Sequence, residues 1–216
     1  ADIGLALDGD ADRLVVVDEN AGVAIENNGS TGDNTPLIKL NVPNNAVAGE
    51  IIKVYDFEGL LPHTTYTLTD ADITSGVADI RINTLVDGEH SLTFVLEDLA
   101  GNNSVASTPL VISVNTDVPT TKVVNIAMSD DEGLYDNDFI TNENDQTLFG
   151  TLTADLETDE IVQYRVDGGE WQSANISVTG RDVTVTGVQL VTGDDREIQF
   201  RVLDESNNPG PITAQV

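Results

Sequence analysis

The chain has 216 residues, no cysteine and a formal net charge of −29 at pH 7, from 38 Asp and Glu against nine Lys and Arg. This length fits two domains that each bury a core, whereas the lack of cysteine excludes a disulfide framework and any thiolate zinc site. The charge excludes unaided binding to nucleic acid or to an anionic membrane surface, and no apolar run is long enough for membrane insertion.

Short Val- and Ile-rich runs, bounded by Gly, Asn, Asp or Pro, predict strands throughout the first half of the chain. One short helical turn is predicted at 69–76, with Thr69 or Asp70 as its N-cap. The run LVVVDENAGVAIE predicts an added hairpin after the first strand, with its turn at Glu19–Gly22. The strands are expected near residues 3–7, 14–17, 36–42, 50–56, 64–69, 77–82, 90–97 and 109–114.

The second half repeats this pattern and is separated from the first by NTDVPTT at 115–121, where Pro119 ends the preceding strand. Seven or eight short strands per half predict an antiparallel β-sandwich in each. We therefore expect two domains, 1–116 and 117–216. The strands of the second domain are expected near residues 122–128, 147–153, 160–167, 174–178, 182–186, 196–203 and 211–216.

The two halves are copies of one module. HSLTFVLEDLAGNN at 90–103 aligns with REIQFRVLDESNN at 196–208, so that Phe94 matches Phe200 and Asp98 matches Asp204. Upstream, GEIIKVYD aligns with DEIVQYRVD, and Glu50 falls on Glu160. A self-similar unit of roughly a hundred residues indicates tandem modules, which argues against an enzyme with a single site.

Several phrases resemble the bacterial immunoglobulin-like repeats of very large adhesins exported by the type I (RTX) route. They are VNTDVP, LEDLAGN, DGEHSLTF, DNDFITNENDQTLFGTL and VQYRVDGGEW. The resemblance implies monomeric, calcium-bound immunoglobulin-like sandwiches at the bacterial cell surface. It also implies that neighbouring modules in the same chain are their partners, while other domains bind a host or biofilm ligand. In that family an Asp follows the last strand of a module, whereas this chain has Asn115 there and Asp117 two residues later.

The acidic residues gather beside Gly and Asn in turns, and short carboxylates in loops are ligands that Ca²⁺ prefers. We expect a calcium-binding turn after the first strand of each module, because carboxylates so close together would otherwise repel one another. The alternative is a hydrated acidic surface. The candidate ligands are Asp8, Asp10 and Asp12 in the first module, and Asp130, Asp131, Asp136 and Asp138 in the second.

A further calcium site is expected at the junction between the modules. Asp98 and Asn102 lie in the loop before the last strand of the first module, and Asp117 lies in the linker. Together with Asp130 or Asp131 they would clamp the linker and stiffen it. Asp204, the equivalent of Asp98, would serve a following module in the same way.

The resemblance to adhesin repeats implies a structural spacer and not an enzyme, and two alternatives to that function remain. The segment 1–20, with DGDADR, is similar to the metal loop of phosphohexomutases, which implies Mg²⁺ held by three aspartates beside Arg13. That reaction also needs a phosphorylatable Ser and a basic phosphate cradle, which the sequence does not provide. The second alternative is a glycan- or protein-binding module that uses the 8–35 insertion.

The remaining residues of types that act in catalysis or zinc binding give no indication of an enzyme. His63 and His90 lack a second His or Cys nearby, which argues against a zinc site or a catalytic dyad. Trp171 is expected to pack in the core or at a sheet edge.

Overall fold

The computed structural model describes residues 14–18, 23–57, 59, 62–131, 138–191 and 196–215 of the chain. The chain divides into two compact units, Ala1–Thr116 and Asp117–Val216. Within the described residues, both units are built from sheets whose strands pair mainly antiparallel. The predicted all-β fold of two tandem sandwiches is confirmed.

In its described residues, the first unit forms two sheets, with strand orders β2-β1-β4-β7 and β3-β9-β8-β5-β6. Among these described strands, all neighbours run antiparallel except β3 and β9, which are parallel. The strands are β1 (Leu14–Asp18), β2 (Val23–Ile25), β3 (Gly29–Thr31), β4 (Leu37–Asn41), β5 (Ile51–Asp56), β6 (Thr64–Thr67), β7 (Val77–Arg81), β8 (Gly88–Glu97) and β9 (Leu110–Val114).

The second unit forms a four-stranded sheet of order β10-β11-β14-β13 and a three-stranded sheet of order β12-β15-β16. This four-plus-three arrangement is that of a constant-type immunoglobulin domain. The strands are β10 (Val123–Met128), β11 (Asp145–Leu152), β12 (Ile161–Val166), β13 (Ile176–Thr179), β14 (Asp182–Gln189), β15 (Ile198–Leu203) and β16 (Thr213–Gln215).

Alternation along the strands places each core. In β8 every second residue from His90 to Leu96 is buried, and β15 buries Ile198, Phe200 and Val202 in the same way. The side chains of Phe94 and Phe200 are fully buried, each in the core of its own unit. Burying one such side chain contributes about 1.5–3 kcal/mol, so each unit has its own source of stability.

The one helix among the described residues, α1 (Asp70–Ser75), is fixed at both ends. Thr69 is its N-cap and forms a capping box with Asp72, and Gly76 ends it in a left-handed conformation with φ of 74°. Burial alone would raise the pKa of Asp72. Hydrogen bonds from Thr69 and from the Tyr66 hydroxyl outweigh this effect and hold the pKa below its ordinary value. The predicted helix is confirmed, with Thr69 as the cap.

The opening of the first unit differs from the expected insertion. Strand β1 pairs with β4 as β10 pairs with β11, so part of the expected insertion is a strand of the main sheet. Strand β2 pairs with β1 as the predicted hairpin requires, whereas the short polar strand β3 was not predicted. The predicted strand at 3–7 and the hairpin turn at 19–22 lie outside the described residues.

Two further expectations concern the whole fold. The doubly wound α/β sheet that a phosphohexomutase requires is not formed by the described residues, and its DGDADR motif at 8–13 lies outside them. Among the described residues, no helix has the length and apolar character that a membrane span requires.

Candidate functional site

Each unit carries the same Asp–Asn turn at the end of a central strand. Asp98 Oδ1 accepts hydrogen bonds from the backbone N–H groups of Ala100 and Asn102, at 2.9 and 2.8 Å, and Asp98 Oδ2 accepts one from Asn102 Nδ2 at 2.9 Å. In the second unit, Asn208 donates in the same way from its backbone N–H and its Nδ2 to Asp204, at 2.8 and 2.9 Å. Both carboxylates therefore close a loop of their own chain.

These hydrogen bonds set the charge state of the first turn. The side chain and the backbone of Asn102 donate to the ionised form of Asp98, which lowers the pKa of Asp98 below its ordinary value. A carboxylate that accepts hydrogen bonds from N–H groups in this way is stabilised by its own loop without a bound ion. The use of Asp98, Asn102 and Asp204 as calcium ligands remains a prediction.

A second repeated acid closes the turn before β5 and before β12. Glu50 Oε2 accepts a hydrogen bond from the Val47 N–H at 3.1 Å, and Glu160 Oε2 accepts one from the Glu157 N–H at 2.9 Å. In both turns the backbone N–H of the glutamate donates back to the carbonyl of the residue three positions earlier. The match of Glu50 with Glu160 found in the sequence is thus a match of local structure.

A third acid links two central strands in the first unit. Asp56 at the end of β5 accepts a hydrogen bond from the Ser91 N–H at 3.1 Å, and its Oδ2 lies 2.7 Å from His90 Nδ1. The Nε2 of the same ring lies 2.7 Å from the carbonyl oxygen of Val86. The buried His90 is therefore held between a carboxylate and a carbonyl oxygen, and its role there is structural.

The second unit reproduces this link with different residues. Asp167 accepts a hydrogen bond from the Glu197 N–H at 3.0 Å and one from Arg196 Nη1 at 2.7 Å, and Arg196 occupies the position of His90. The bond from the Glu197 N–H, followed by that from Arg196, lowers the pKa of Asp167 below its ordinary value. All three repeated acids thus stabilise turns and strand ends.

The acidic loop after β10 is organised by one buried glutamine. Gln146 Oε1 accepts hydrogen bonds from the Ser129 hydroxyl and the Asp130 N–H, both at 3.1 Å. Gln146 Nε2 donates to the Thr141 hydroxyl and to the carbonyl of Glu143, both at 3.1 Å. A side chain buried in the sheet therefore holds the two ends of the loop together.

One carboxylate oxygen of this loop stands apart from the others. Asp131 Oδ2 accepts a hydrogen bond from the Phe139 N–H at 3.2 Å, but the buried Oδ1 has no hydrogen-bond partner among the described residues. Burying an unpaired carboxylate oxygen is costly, so such an atom fits a site for a cation. Asp138, at the far side of the loop, is exposed and accepts from the Ile140 N–H at 3.2 Å.

The other predicted ligands are not brought together in the parts of the chain that the structure describes. Asp117 is exposed at the start of the second unit. Residues Asp8, Asp10, Asp12 and Asp136 lie outside the described residues. Over the described ranges, no group of three or more His, Cys, Asp or Glu side chains is arranged to hold a metal ion.

The second unit carries a cationic cluster that was not predicted from the sequence, and we call this cluster the arginine row. It comprises Gln163, Arg165, Gln199 and Arg201 on the paired strands β12 and β15, with Trp171 against them. The guanidinium carbons of Arg165 and Arg201 lie 4.5 and 4.3 Å from the centroid of the indole ring. Burial lowers the pKa of Arg201 below its ordinary value, and the neighbouring charge of Arg165 lowers it further.

Comparison with known proteins identifies the fold and no family. No protein-family description matches the chain, and no curated protein matches it in sequence. Fibronectin(III)-like modules of Clostridium thermocellum CbhA are similar in structure, with a TM-score of 0.51 and 14% identity over 93% of this chain and 90% of theirs.

Two other solved structures are more distant. A biofilm-associated protein (its BSP domain) shares 14% identity over 86% of this chain and 27% of its own, with a TM-score of 0.31. The human OSCAR ligand-binding domain shares 10% identity over 87% of this chain and 92% of its own, also with a TM-score of 0.31. Scores this low do not indicate a shared fold.

Proposed function

We propose that this chain is a pair of calcium-stabilised, immunoglobulin-like spacer modules from a bacterial surface adhesin, with a structural and not an enzymatic role. The observation that carries the proposal is duplication. The same central strand pairings are built twice, and acids at matching places close the same turns. A spacer needs only a unit that folds and can be joined to the next, and turn-forming residues serve that purpose.

Two further observations support the proposal. The likeness to fibronectin(III)-like modules supports it at the level of the fold alone. The phrases VNTDVP, LEDLAGN and DNDFITNENDQTLFGTL resemble the repeats of secreted adhesins, which favours a place outside the bacterial cell. Neighbouring modules of the same chain would then be the main partners, other domains would bind the host or biofilm surface, and the pair would be monomeric.

Calcium is part of the proposal because of the loop that Gln146 organises. Asp131 would hold the ion through its unpaired Oδ1, and Asp130, Asp138 and Asp136 would supply further oxygen ligands. Bound there, Ca²⁺ would supply positive charge to a dense group of carboxylates. The sites expected from Asp8, Asp10 and Asp12, and from Asp98, Asn102, Asp117 and Asp204, remain part of the same proposal.

The test is thermal unfolding of the whole chain in EDTA, in CaCl₂ and in MgCl₂ at matched ionic strength. An ion that binds only the folded state stabilises it by about 2.7 kcal/mol at a hundred times its Kd. We therefore expect a rise in melting temperature that is specific for Ca²⁺, together with binding detected by isothermal titration. An equal response to Mg²⁺, or no response, would contradict a calcium-stabilised module.

A pair of variants assigns the effect to the loop. D131N keeps the shape of the side chain but removes the charge, so we expect it to reduce the Ca²⁺-dependent rise. D182N removes one charge from an exposed position on β14 of the same unit and serves as the matched control. A rise that survives in D131N and D182N alike would place the calcium outside this loop.

A further inference from the structure

Trp171 lies on the arginine row because of the hairpin that precedes it. After β12 the chain turns at Asp167 and Gly168, both with positive φ, and comes back to pair Gln172 with Tyr164. The N–H of each of these two residues donates to the carbonyl of the other, at 2.9 and 2.8 Å. Tyr164 belongs to the core, so the residue before Gln172 projects from the opposite face, where the arginines lie.

The arginine row is not required by the fold. The first unit builds the same strand pair from β5 and β8 with Lys53, Tyr55, Thr93 and Val95 at the matching places. There Lys53 forms an ion pair with Glu97 in the usual way. Because the same strand pair forms in the first unit without two arginines and a tryptophan, the row in the second unit needs an explanation beyond folding.

Within the described part of this acidic chain, no carboxylate forms an ion pair with the arginine row. Among the described residues, Lys39, Arg181 and Arg196 pair with Asp79, Asp155 and Asp167, at 3.0, 2.7 and 2.7 Å. Arg165 and Arg201 have no carboxylate within ion-pair distance in the same ranges. Each instead donates from Nε to the side-chain oxygen of the glutamine opposite, at 2.6 and 2.8 Å. Among the residues that the structure describes, two adjacent guanidinium groups therefore have no anion as an ion-pair partner.

Most of the groups left over in the row are hydrogen-bond donors. The oxygens of Gln163 and Gln199 are taken by the arginines, which leaves their Nε2 groups to donate. The remaining guanidinium N–H groups and the indole N–H of Trp171 donate to no described group. A half-buried surface that offers donors, positive charge and an aromatic ring matches a ligand rich in oxygen acceptors that carries a carboxylate.

We propose that the arginine row binds an oligosaccharide that carries uronic acid, with the carboxylate on Arg165 and Arg201 and sugar hydroxyls on the glutamines and Trp171. The net charge of −29 opposes a dense polyanion, whereas a glycan with carboxylates on alternate sugars meets less repulsion. A run of acidic residues in a peptide is disfavoured for the same reason. This proposal goes beyond the spacer function and requires no calcium.

The single Trp of the chain makes the test direct, because its indole N–H gives one resonance in a proton–nitrogen NMR spectrum. The labelled whole chain is titrated in EDTA with a tetrasaccharide of alternating glucuronic acid and N-acetylglucosamine. The neutral tetrasaccharide of N-acetylglucosamine and a hexa-aspartate peptide are the comparison ligands. We expect a saturable shift of the indole resonance with the acidic sugar and none with the other two.

Variants identify the groups responsible. R165Q and R201Q should each weaken binding about tenfold or more, the loss expected when a charge-assisted hydrogen bond is removed. R181Q, which removes the same charge from an exposed site on the same unit, should bind as the parent chain does. Melting temperatures of all three variants establish that they are folded.

Several outcomes would overturn the proposal. If the indole resonance does not shift at millimolar acidic sugar, the row is a structural ladder. A lower melting temperature of R165Q and R201Q, with no sugar binding by the parent chain, would lead to the same conclusion. An equal shift with the neutral sugar would remove the role of the carboxylate. A response to hexa-aspartate alone would assign the row to an acidic peptide.

Discussion

At the scale of single residues, the acids of this chain have two kinds of environment. Asp98 and Asp204 accept hydrogen bonds from their own loops, so N–H groups balance their charge. Asp131 has one buried oxygen to which no described group donates a hydrogen bond. In the sequence all three read as aspartates in acidic turns. What separates a turn-forming carboxylate from a candidate metal ligand is therefore the set of donors around it.

The turn at Asp98 predicts a specific dependence on pH. The pKa of Asp98 is lowered in the folded chain relative to 3.8, so its contribution to stability is present above that value and is lost as the pH falls through the folded pKa. We expect D98N to lower the melting temperature at pH 7, and its difference from the parent chain to shrink as the pH falls below 3.8. NMR titration of the Asp98 carboxyl carbon should give a midpoint below 3.8, and a midpoint above 3.8 would contradict this reading.

At the scale of elements, helix α1 depends on one side chain. Asp72 Oδ2 accepts hydrogen bonds from the Tyr66 hydroxyl at 2.9 Å, and from the Thr69 N–H and hydroxyl at 2.8 and 2.7 Å. We expect D72A to cost about 1–2 kcal/mol in urea unfolding followed by circular dichroism. The control D70A removes an exposed acid from the same turn and should cost less. Equal losses would mean that the charge matters and the capping box does not.

The pairing of β10 with β11 requires a glycine at position 150. A Cβ there would lie 2.5 Å from Val123 Cγ1, and Val123 is completely buried. We expect G150A to cost about 1–3 kcal/mol through overpacking. Because V123A removes the clashing methyl group, the double variant G150A/V123A should lose less stability than the sum of the two single variants. Additive losses in denaturant unfolding would show that the strands relax to admit the methyl group.

The alternation of apolar residues was enough to predict most of the strands. It identified β8 and β15, because every second residue there enters a core. It missed β3, whose three residues Gly29–Thr31 carry no apolar signal and are held by pairing with β9, more than eighty positions away. A strand that depends on a distant partner leaves no local periodicity to detect.

The candidate sites were less predictable than the strands. The arginine row joins Arg165 with Arg201 from separate strands, and only the aligned repeats could have shown that both replace uncharged residues of the first module. The partner of each arginine is the glutamine opposite, which depends on strand register. Composition pointed to acidic metal sites, which remain a prediction, but it had no means of locating a cluster of cationic side chains.

At the scale of the whole molecule, the net charge of −29 sets two electrostatic effects against each other. Salt screens the repulsion among the acids, which stabilises the folded chain. Salt also screens the attraction in ion pairs such as Lys39 with Asp79 and Arg181 with Asp155, and this screening destabilises the folded chain. Exposed pairs of this kind contribute about 0–1 kcal/mol each, and only nine Lys and Arg are available to form them. Repulsion should therefore dominate.

We accordingly expect the melting temperature to rise with NaCl when EDTA is present throughout. The Debye length falls from about 30 Å at 0.01 M salt to about 8 Å at 0.15 M, so most of the rise should occur in that range. KCl should reproduce it, because screening depends on ionic strength and not on the identity of the monovalent cation. A melting temperature that falls with salt would show that ion pairs outweigh repulsion, and the dense acidic charge would then give no general reason for the chain to require a divalent cation.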